Sequence, residues 1–476
     1  MANNKLFALC HRESSKPAQV ASWILLVIIA IAAVYSLRSG FYDMSILHQI
    51  LLCTLPLIFL ISFLNINFAL SILIISMLLS PGLSMGNVPG RAIALRFDDI
   101  TLLIVFFGWI TRMAVHKDLG FLRLSPINKP IAAYIGICLV STLFGSLSGA
   151  INIKHAIFYI LKYIEYFIIF FMVSNNIRDE KQIKMFIKVM IATCVVVCIY
   201  GLYSYFSLGL RATPPFEGEG GEANTMAGYL VVMMPVVIAC IASATKGKTR
   251  FILSAILALQ ITTLLYTLSR TGWLGMIVTI AMLIFMVKKG RVILFPLLAI
   301  AIVVAPMFTH KIVHNRINET FVGKDTIKVM GHRFTVDDST NSRLISARRS
   351  IAKWGKSPII GQGVTSAGAV SDVQYTRILC EVGLVGLTIF IWLVVVLMQT
   401  GLKSYRLVGV GVFGRNISAA FISSLTGLIV MGMAAEVFII IRIMEPFWFI
   451  AALVANLPEI TEVLPVKAPE TAEAKS

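Results

Sequence analysis

The sequence predicts an all-α polytopic membrane protein, with about 12–14 transmembrane helices and one large extracytoplasmic loop containing short helices. Three observations carry that prediction. The 476 residues are 58% hydrophobic and 13% charged, where soluble domains have roughly 45–50% and 25%, and the mean hydropathy is +0.87. Apolar runs of about 20 residues recur along the whole chain. They are continuous rather than alternating, which excludes a transmembrane β-barrel. Finally, the basic residues sort to one side under a single choice of orientation.

In chain order, residues 1–20 are expected to be a cytoplasmic segment carrying Lys5, Arg12 and Lys16. The first apolar run lacks a small-residue cleavage pattern and reads as a signal anchor. Apolar segments then lie near 21–37, 46–62, 66–80, 98–115, 129–147, 155–175, 184–206, 224–244, 251–268, 271–287 and 292–308, which make the first bundle, 21–308. Segment 66–80 is short for a span. Residues 309–374 are the long hydrophilic loop. Segments 376–398, 415–435 and 444–458 make the C-terminal helices, 375–458, and 459–476 is an Ala/Pro/Glu-rich tail expected to be disordered in the cytoplasm. No internal repeat stands out.

With the N-terminus inside, the inner connections carry Arg112, Lys117, Arg123 and Lys129, then Arg178, Lys181 and Lys184, then Lys246, Lys248 and Arg250, then Lys288, Lys289 and Arg291, and lastly Lys403, Arg406 and Arg415. The short outer connections carry few basic residues. This sorting accounts for the net charge of +18 through topology and attraction to anionic lipid. No nucleic-acid module is recognisable. The seven cysteines form no CxxC or Cys/His ligand set, and His310, His314 and His332 have no metal-ligand spacing, so neither metal nor cofactor is expected.

Four outer stretches carry the chemistry. In LRATPPFEGEGGEANTMAGYL (210–230), Arg211 is expected to face an anion and Glu217, Glu219 or Glu222 to orient a sugar; a solvated acidic loop is the plainer reading. Gly218, Gly220 and Gly221 permit close backbone approach, and Asn224 is expected to cap the following helix. In SRTGWLG (269–275), Arg270 is the only charged residue between Arg250 and Lys288. A snorkelling anchor needs only a cation, whereas a guanidinium at a cramped turn suits bidentate phosphate binding.

The third stretch, TNSRLISARRSIAKWGKSPIIGQG (340–363), places Leu344, Ala347, Ile351 and Trp354 on one helical face and Arg343, Arg348, Arg349, Lys353 and Lys356 elsewhere. It reads as a surface helix that meets lipid head groups or a diphosphate, closed by Pro358, Gly361 and Gly363. In SDVQYTRILCEVGLVGLTIF (371–390), Asp372, Gln374 and Tyr375 sit at a helix mouth that Arg377 and Glu381 also enter. Asp372 there reads as a general base and, compatibly, as a cap of the helix. Within the membrane, Lys162 and Glu165 are spaced to pair, as a structural ion pair or a functional one.

Taken in this order, the four stretches resemble the O-antigen ligase/O-antigen polymerase superfamily of bacterial membrane glycosyltransferases. The likeness covers roughly 155–400. It rests on Arg211 with the Asn224-led span, the SRTGWLG turn, the outer loop ending in SPIIGQG, and the YTRILCEVGLVG helix. Each motif is loose, and their order is the specific part. The resemblance implies transfer of a glycan from undecaprenyl diphosphate to an acceptor hydroxyl on a glycan or glycolipid, outside the inner membrane and without a metal. It implies that Arg211 and Arg270 engage the diphosphate. In many ligases a histidine–asparagine pair precedes the YTRILCEVGLVG helix, and those positions fall on Asp372 and Val373 here. That departure tilts the expectation from ligase toward polymerase, with Asp372 as the base. A lipid-linked sugar flippase predicts repeats and midplane charges, neither of which is evident. A non-catalytic scaffold predicts tolerance to loss of both arginines.

Overall fold

The computed structural model describes residues 46–88, 91–116, 123–217, 222–287, 325–329, 332–336, 338–368, 373–407 and 409–462. The N-terminal segment, the expected spans at 21–37 and 292–308, Gly218, Glu219, Gly220, Gly221, His310, His314, Asp372 and residues 463–476 of the tail lie outside them.

The frame is helical. In order it comprises α1 (Ile46–Leu64), α2 (Ile66–Leu79), α3 (Phe97–His116), α4 (Asn128–Leu147), α5 (Ile153–Asn176), α6 (Glu180–Leu208), α7 (Ala223–Ser243), α8 (Gly247–Tyr266), α9 (Arg270–Met286), α10 (Asp338–Trp354), α11 (Gln374–Arg406), α12 (Val412–Met431) and α13 (Ile441–Glu462). Two short antiparallel hairpins sit in the connections: β1 (Gly82–Val88) with β2 (Arg91–Arg96), and β3 (Asp325–Val329) with β4 (His332–Val336). Twelve of the fourteen expected segments coincide with a helix, and the other two are outside the described residues. Eight helices among the described residues are long and apolar enough to cross a membrane: α4 to α8 and α11 to α13. The chain is an integral membrane protein.

Local chemistry sets several ends. Asn65 caps α2, its side chain accepting from Phe68 N at 3.3 Å. Asp179 and Gln182 form a reciprocal capping box at the start of α6. α6 stops at Gly209, whose φ of +66° only glycine adopts without penalty. α13 runs four residues into the expected tail, to Glu462.

Hydropathy alone cannot say which apolar helix is central, because lipid and protein interior are equally apolar. Small residues decide it. Gly275 of α9 lies against the Gly427 carbonyl of α12, and a Cβ on Gly427 would strike the Thr279 hydroxyl. Gly228 of α7 lies against Ile443 of α13, and Gly272 of α9 against Ala227 of α7. Close backbone approach at these points draws α7, α9, α12 and α13 together. The apolar window of α7 is consequently 89% buried, whereas that of α8 is 22% buried and faces outward.

One end of the bundle gathers the features of interest. There the end of α2 meets the start of α3, the turn after α6 meets the α8–α9 turn, and the start of α11 meets the end of α4.

Candidate functional site

The site begins with two turns laid side by side. Past Gly209 the chain doubles along the end of α8, where Ala212 N donates to Tyr266 O at 3.0 Å. Arg211 Nε donates to Thr267 O at 2.8 Å. The second turn reverses at Leu268, whose φ of +53° is unusual for a branched side chain. Thr267 Oγ1 accepts from Ser269 N at 3.2 Å, and Trp273 Nε1 donates to Leu264 O at 3.1 Å. Ser269 then caps α9, its hydroxyl accepting from Gly272 N at 3.2 Å. Arg270 is the first residue of that helix.

Around these turns lies a half-open cleft of about 160 Å³, smaller than the roughly 300–1,000 Å³ usual for sites that enclose a whole small molecule and of a size for a charged group rather than a whole glycan. Arg211, Arg270 and Arg343 line it, the last from α10, together with Asn224, Ser269 and the serines Ser339 and Ser342. No carboxylate of the described residues is among them. Three guanidiniums, several hydroxyls and an amide make a lining rich in hydrogen-bond donors around concentrated positive charge, which is the chemistry of an anion site.

Asn224 corrects an expectation. α7 begins at Ala223 with Glu222 in the capping position, so Asn224 lies inside the first turn and does not cap it. Its Oδ1 accepts from the Ser269 hydroxyl at 2.7 Å. The sequence pattern offered no signal for Ser339, Ser342 or this role of Asn224, since only tertiary packing brings α7 and α10 to the α8–α9 turn.

The other expected site residues lie elsewhere. Arg348 and Arg349 are exposed on α10, away from the cleft. That helix turns Ser346 and Ser350 toward the protein and leaves Leu344, Ile345 and Ile351 exposed at 38%, 40% and 47%. The apolar stripe drawn from helical spacing is therefore not its packing face. Glu217 pairs with Arg442 Nε at 3.1 Å. Glu222 accepts from the Thr225 hydroxyl at 3.0 Å. Gln374 is buried, with Oε1 accepting from Phe438 N at 3.1 Å, and Tyr375 donates to Ile429 O at 2.6 Å. None of these lines the cleft. Asp372 is outside the described residues, and the capping position of α11 belongs to Val373.

Past the far end of α10, the SPIIGQG segment interlocks with a break in α11. Gly383 leaves helical geometry at φ +67°, ψ −166°. The freed groups are satisfied across the junction. Gln362 N and Gly363 N donate to Cys380 O and Glu381 O, each at 2.9 Å, and Leu384 N and Val385 N donate to Pro358 O and Ile359 O at 2.9 and 3.1 Å. Ser141 of α4 donates to Glu381 O at 2.5 Å. Below the break, Arg377 joins Glu381 at 3.0 Å and Glu436 at 2.6 Å, all three buried. Glu436, just past α12, was not marked in the sequence, where nothing local links it to α11. Among the described residues no group of histidines, cysteines and carboxylates is arranged to hold a metal ion.

A helical membrane protein with a donor-rich anion cleft at one end of its bundle is the class this architecture defines. Residues 253–391, which span Arg270, α10 and the α11 break, match the family model described as O-antigen ligase. The match supports the O-antigen ligase/polymerase superfamily, and with it membrane glycosyltransferase activity of that general type on lipid-linked glycans and acceptors. No curated protein matches the chain.

Proposed function

We propose that the chain is a glycosyltransferase that takes a glycan from undecaprenyl diphosphate and passes it to an acceptor hydroxyl at the outer face of the bacterial inner membrane, polymerising O-antigen or exopolysaccharide repeat units. The observation that carries this reading is the convergence of Arg211, Arg270 and Arg343 on one cleft free of described carboxylates. A polyprenyl diphosphate gains negative charge as it leaves. Guanidiniums already held in place stabilise that charge without reorganising during reaction. Arg211 and Arg270 sit on turns tied to each other by one backbone hydrogen bond and by the bond from Arg211 Nε to Thr267 O, so their spacing is fixed before substrate arrives. Arg343 comes from the 309–374 loop, which supports a role for that loop in covering the donor.

The acceptor hydroxyl must lose a proton, and in this proposal Asp372 takes it as general base. In the chain it stands two residues before the start of α11, in the stretch that links that helix to α10, which lends Arg343 to the cleft. Direct attack on the anomeric carbon, with the diphosphate departing from the opposite face, inverts configuration there. Arg348 and Arg349 are proposed to attract anionic lipid head groups near the entrance.

A second reading, a ligase that joins the glycan to lipid A core, is favoured by the description of the matched family. Purified protein in detergent separates the two when given undecaprenyl-diphosphate-linked repeat units with and without lipid A core. A ladder from donor alone supports the polymerase. Product only with lipid A core supports the ligase. Transport of the intact lipid across vesicles, with no new glycosidic bond under either condition, would replace both readings with a flippase.

A further inference from the structure

A second polar cluster lies inside the same end of the bundle, apart from the cleft. Lys162 of α5 pairs with Asp99 of α3 and with Glu165 at 3.2 Å. Arg96 at the end of β2 lies 3.9 Å from Asp98, which also accepts from the Ser80 hydroxyl at 2.8 Å. Arg442 of α13, 1% exposed, pairs with Glu217 and donates to the carbonyls of Pro215, Phe216, Leu78 and Ser80. Arg442 thereby fastens the 210–217 loop, which carries Arg211, to the bundle.

Glu445, one helical turn beyond Arg442, is fully buried, and neither of its carboxyl oxygens has a hydrogen-bond partner. Asp98 Oδ2 and Asp99 Oδ1 are likewise buried without one. Arg96, Asp98, Asp99 and Glu165 are the charged groups that act on Glu445, with Arg442 on its own helix. α2 and α7, which also pack on α13, contain no charged residue, and the charges of α6, which packs there too, are confined to Glu180, Lys181, Lys184 and Lys188 in its first turns, where the lysines are exposed. Arg377 and Glu381 of α11 are engaged with Glu436, and Arg415 of α12 is exposed. Five carboxyl groups thus face three cations, with Asp98, Asp99, Glu445, Lys162 and Arg442 buried and Arg96, Glu165 and Glu217 half-buried around them. An ionised carboxylate in such a place needs a partner, and Glu445 has none to spare.

We propose that this cluster is a proton-binding site, with the proton on Glu445, and that the bound proton keeps Arg442 committed to the 210–217 loop. No group of the described residues is arranged to hold a metal ion, and a proton supplies the hydrogen-bond donor that the orphaned oxygens lack. Ionised, Glu445 competes for Arg442 with Glu217 and the loop carbonyls, and the loop loosens. The proton therefore acts on Arg211 through backbone placement and has no part in bond making.

Infrared spectra of the purified full chain test the site independently of any catalytic reading. Wild type near neutral pH is expected to show the carbonyl band of a protonated carboxylic acid. Glu445→Gln should lack the band, and alkaline titration should erase it in wild type. The coupling to the loop rests on the proposed glycan transfer and has its own readout. Wild-type transfer should fall about tenfold per pH unit once Glu445 ionises, while Glu445→Gln keeps a flatter profile. Identical spectra for wild type and Glu445→Gln overturn the proton site. An unchanged pH profile overturns the coupling alone. Should the Gln form not fold, Glu445→Met is read in its place. Failure of both neutral forms, with Glu445→Asp folded, means that the charge itself is required and overturns the assignment. So does alkaline loss reversed by sodium ions and not by choline at equal ionic strength.

Discussion

The Ser269 hydroxyl donates to Asn224 Oδ1 across 2.7 Å while accepting from Gly272 N at 3.2 Å. One atom therefore caps the helix that begins with Arg270 and ties to it a side chain of another helix that lines the same cleft. Ser269→Ala should cost about 1 kcal/mol through the lost cap and raise the KM for donor lipid several-fold, with Ser269→Thr restoring both. Thermal unfolding in detergent and initial transfer rates separate the two effects. Asn224→Asp is the sharper variant. It puts a carboxylate among the cleft arginines and should abolish donor binding in a filter or quenching assay while leaving the protein folded.

Arg270→Ala should lower kcat by about 10²- to 10³-fold, the usual consequence of losing one preorganised charge stabiliser. Arg270→Lys should recover less than a tenth of that, because an ammonium cannot make the paired, planar contact. Arg343→Ala should fall between Arg270→Ala and the exposed pair Arg348→Ala and Arg349→Ala. Equal losses at all three α10 positions would show that the cleft is not where the donor binds.

Gly383→Ala should destabilise the protein by about 1–3 kcal/mol, the scale of a strained backbone residue. A Cβ there meets the Ile359 carbonyl, and φ is +67°. Gly136→Ala in α4 is the control. It meets nothing within 4 Å and should be neutral or stabilising by up to about 1 kcal/mol. Melting temperatures of the two variants, measured side by side, check the contrast.

Arg377→Met should cost about 3–5 kcal/mol, because it strands Glu381 and Glu436 as buried charges. Replacing Glu381 and Glu436 by Gln in the same protein should recover most of the loss. A combined variant no more stable than Arg377→Met would mean that Arg377 acts through something other than this triad.

Arg123 shows what sequence could and could not supply. Its place in a basic connection between two apolar segments was legible in the sequence, but its bond to Ser174 O and its pairing with Glu459 join segments far apart in the chain. The helices were legible for the same reason, since twenty apolar residues have few alternatives in lipid. Arg211 and Arg270 stood out as charges at the ends of apolar runs, and Arg343 as part of a basic helix. The choice of Arg343 over Arg348 and Arg349 was not legible, because α10 packs through Ser346 and Ser350 and its apolar stripe pointed elsewhere. Lys162 and Glu165 were legible as a pair through their spacing, but Asp99 and Glu445 were not, as only tertiary packing brings α3 and α13 to α5.

The pairing of Ala212 N with Tyr266 O reaches beyond the site it supports. Because main-chain atoms set the distance between the turns that carry Arg211 and Arg270, that distance is insulated from side-chain turnover in the helices behind them. The lipid-facing surface of α8 can then drift to suit membranes of different thickness without detuning the two arginines. Adaptation to a new bilayer and adaptation to a new glycan are, in this scaffold, separable problems.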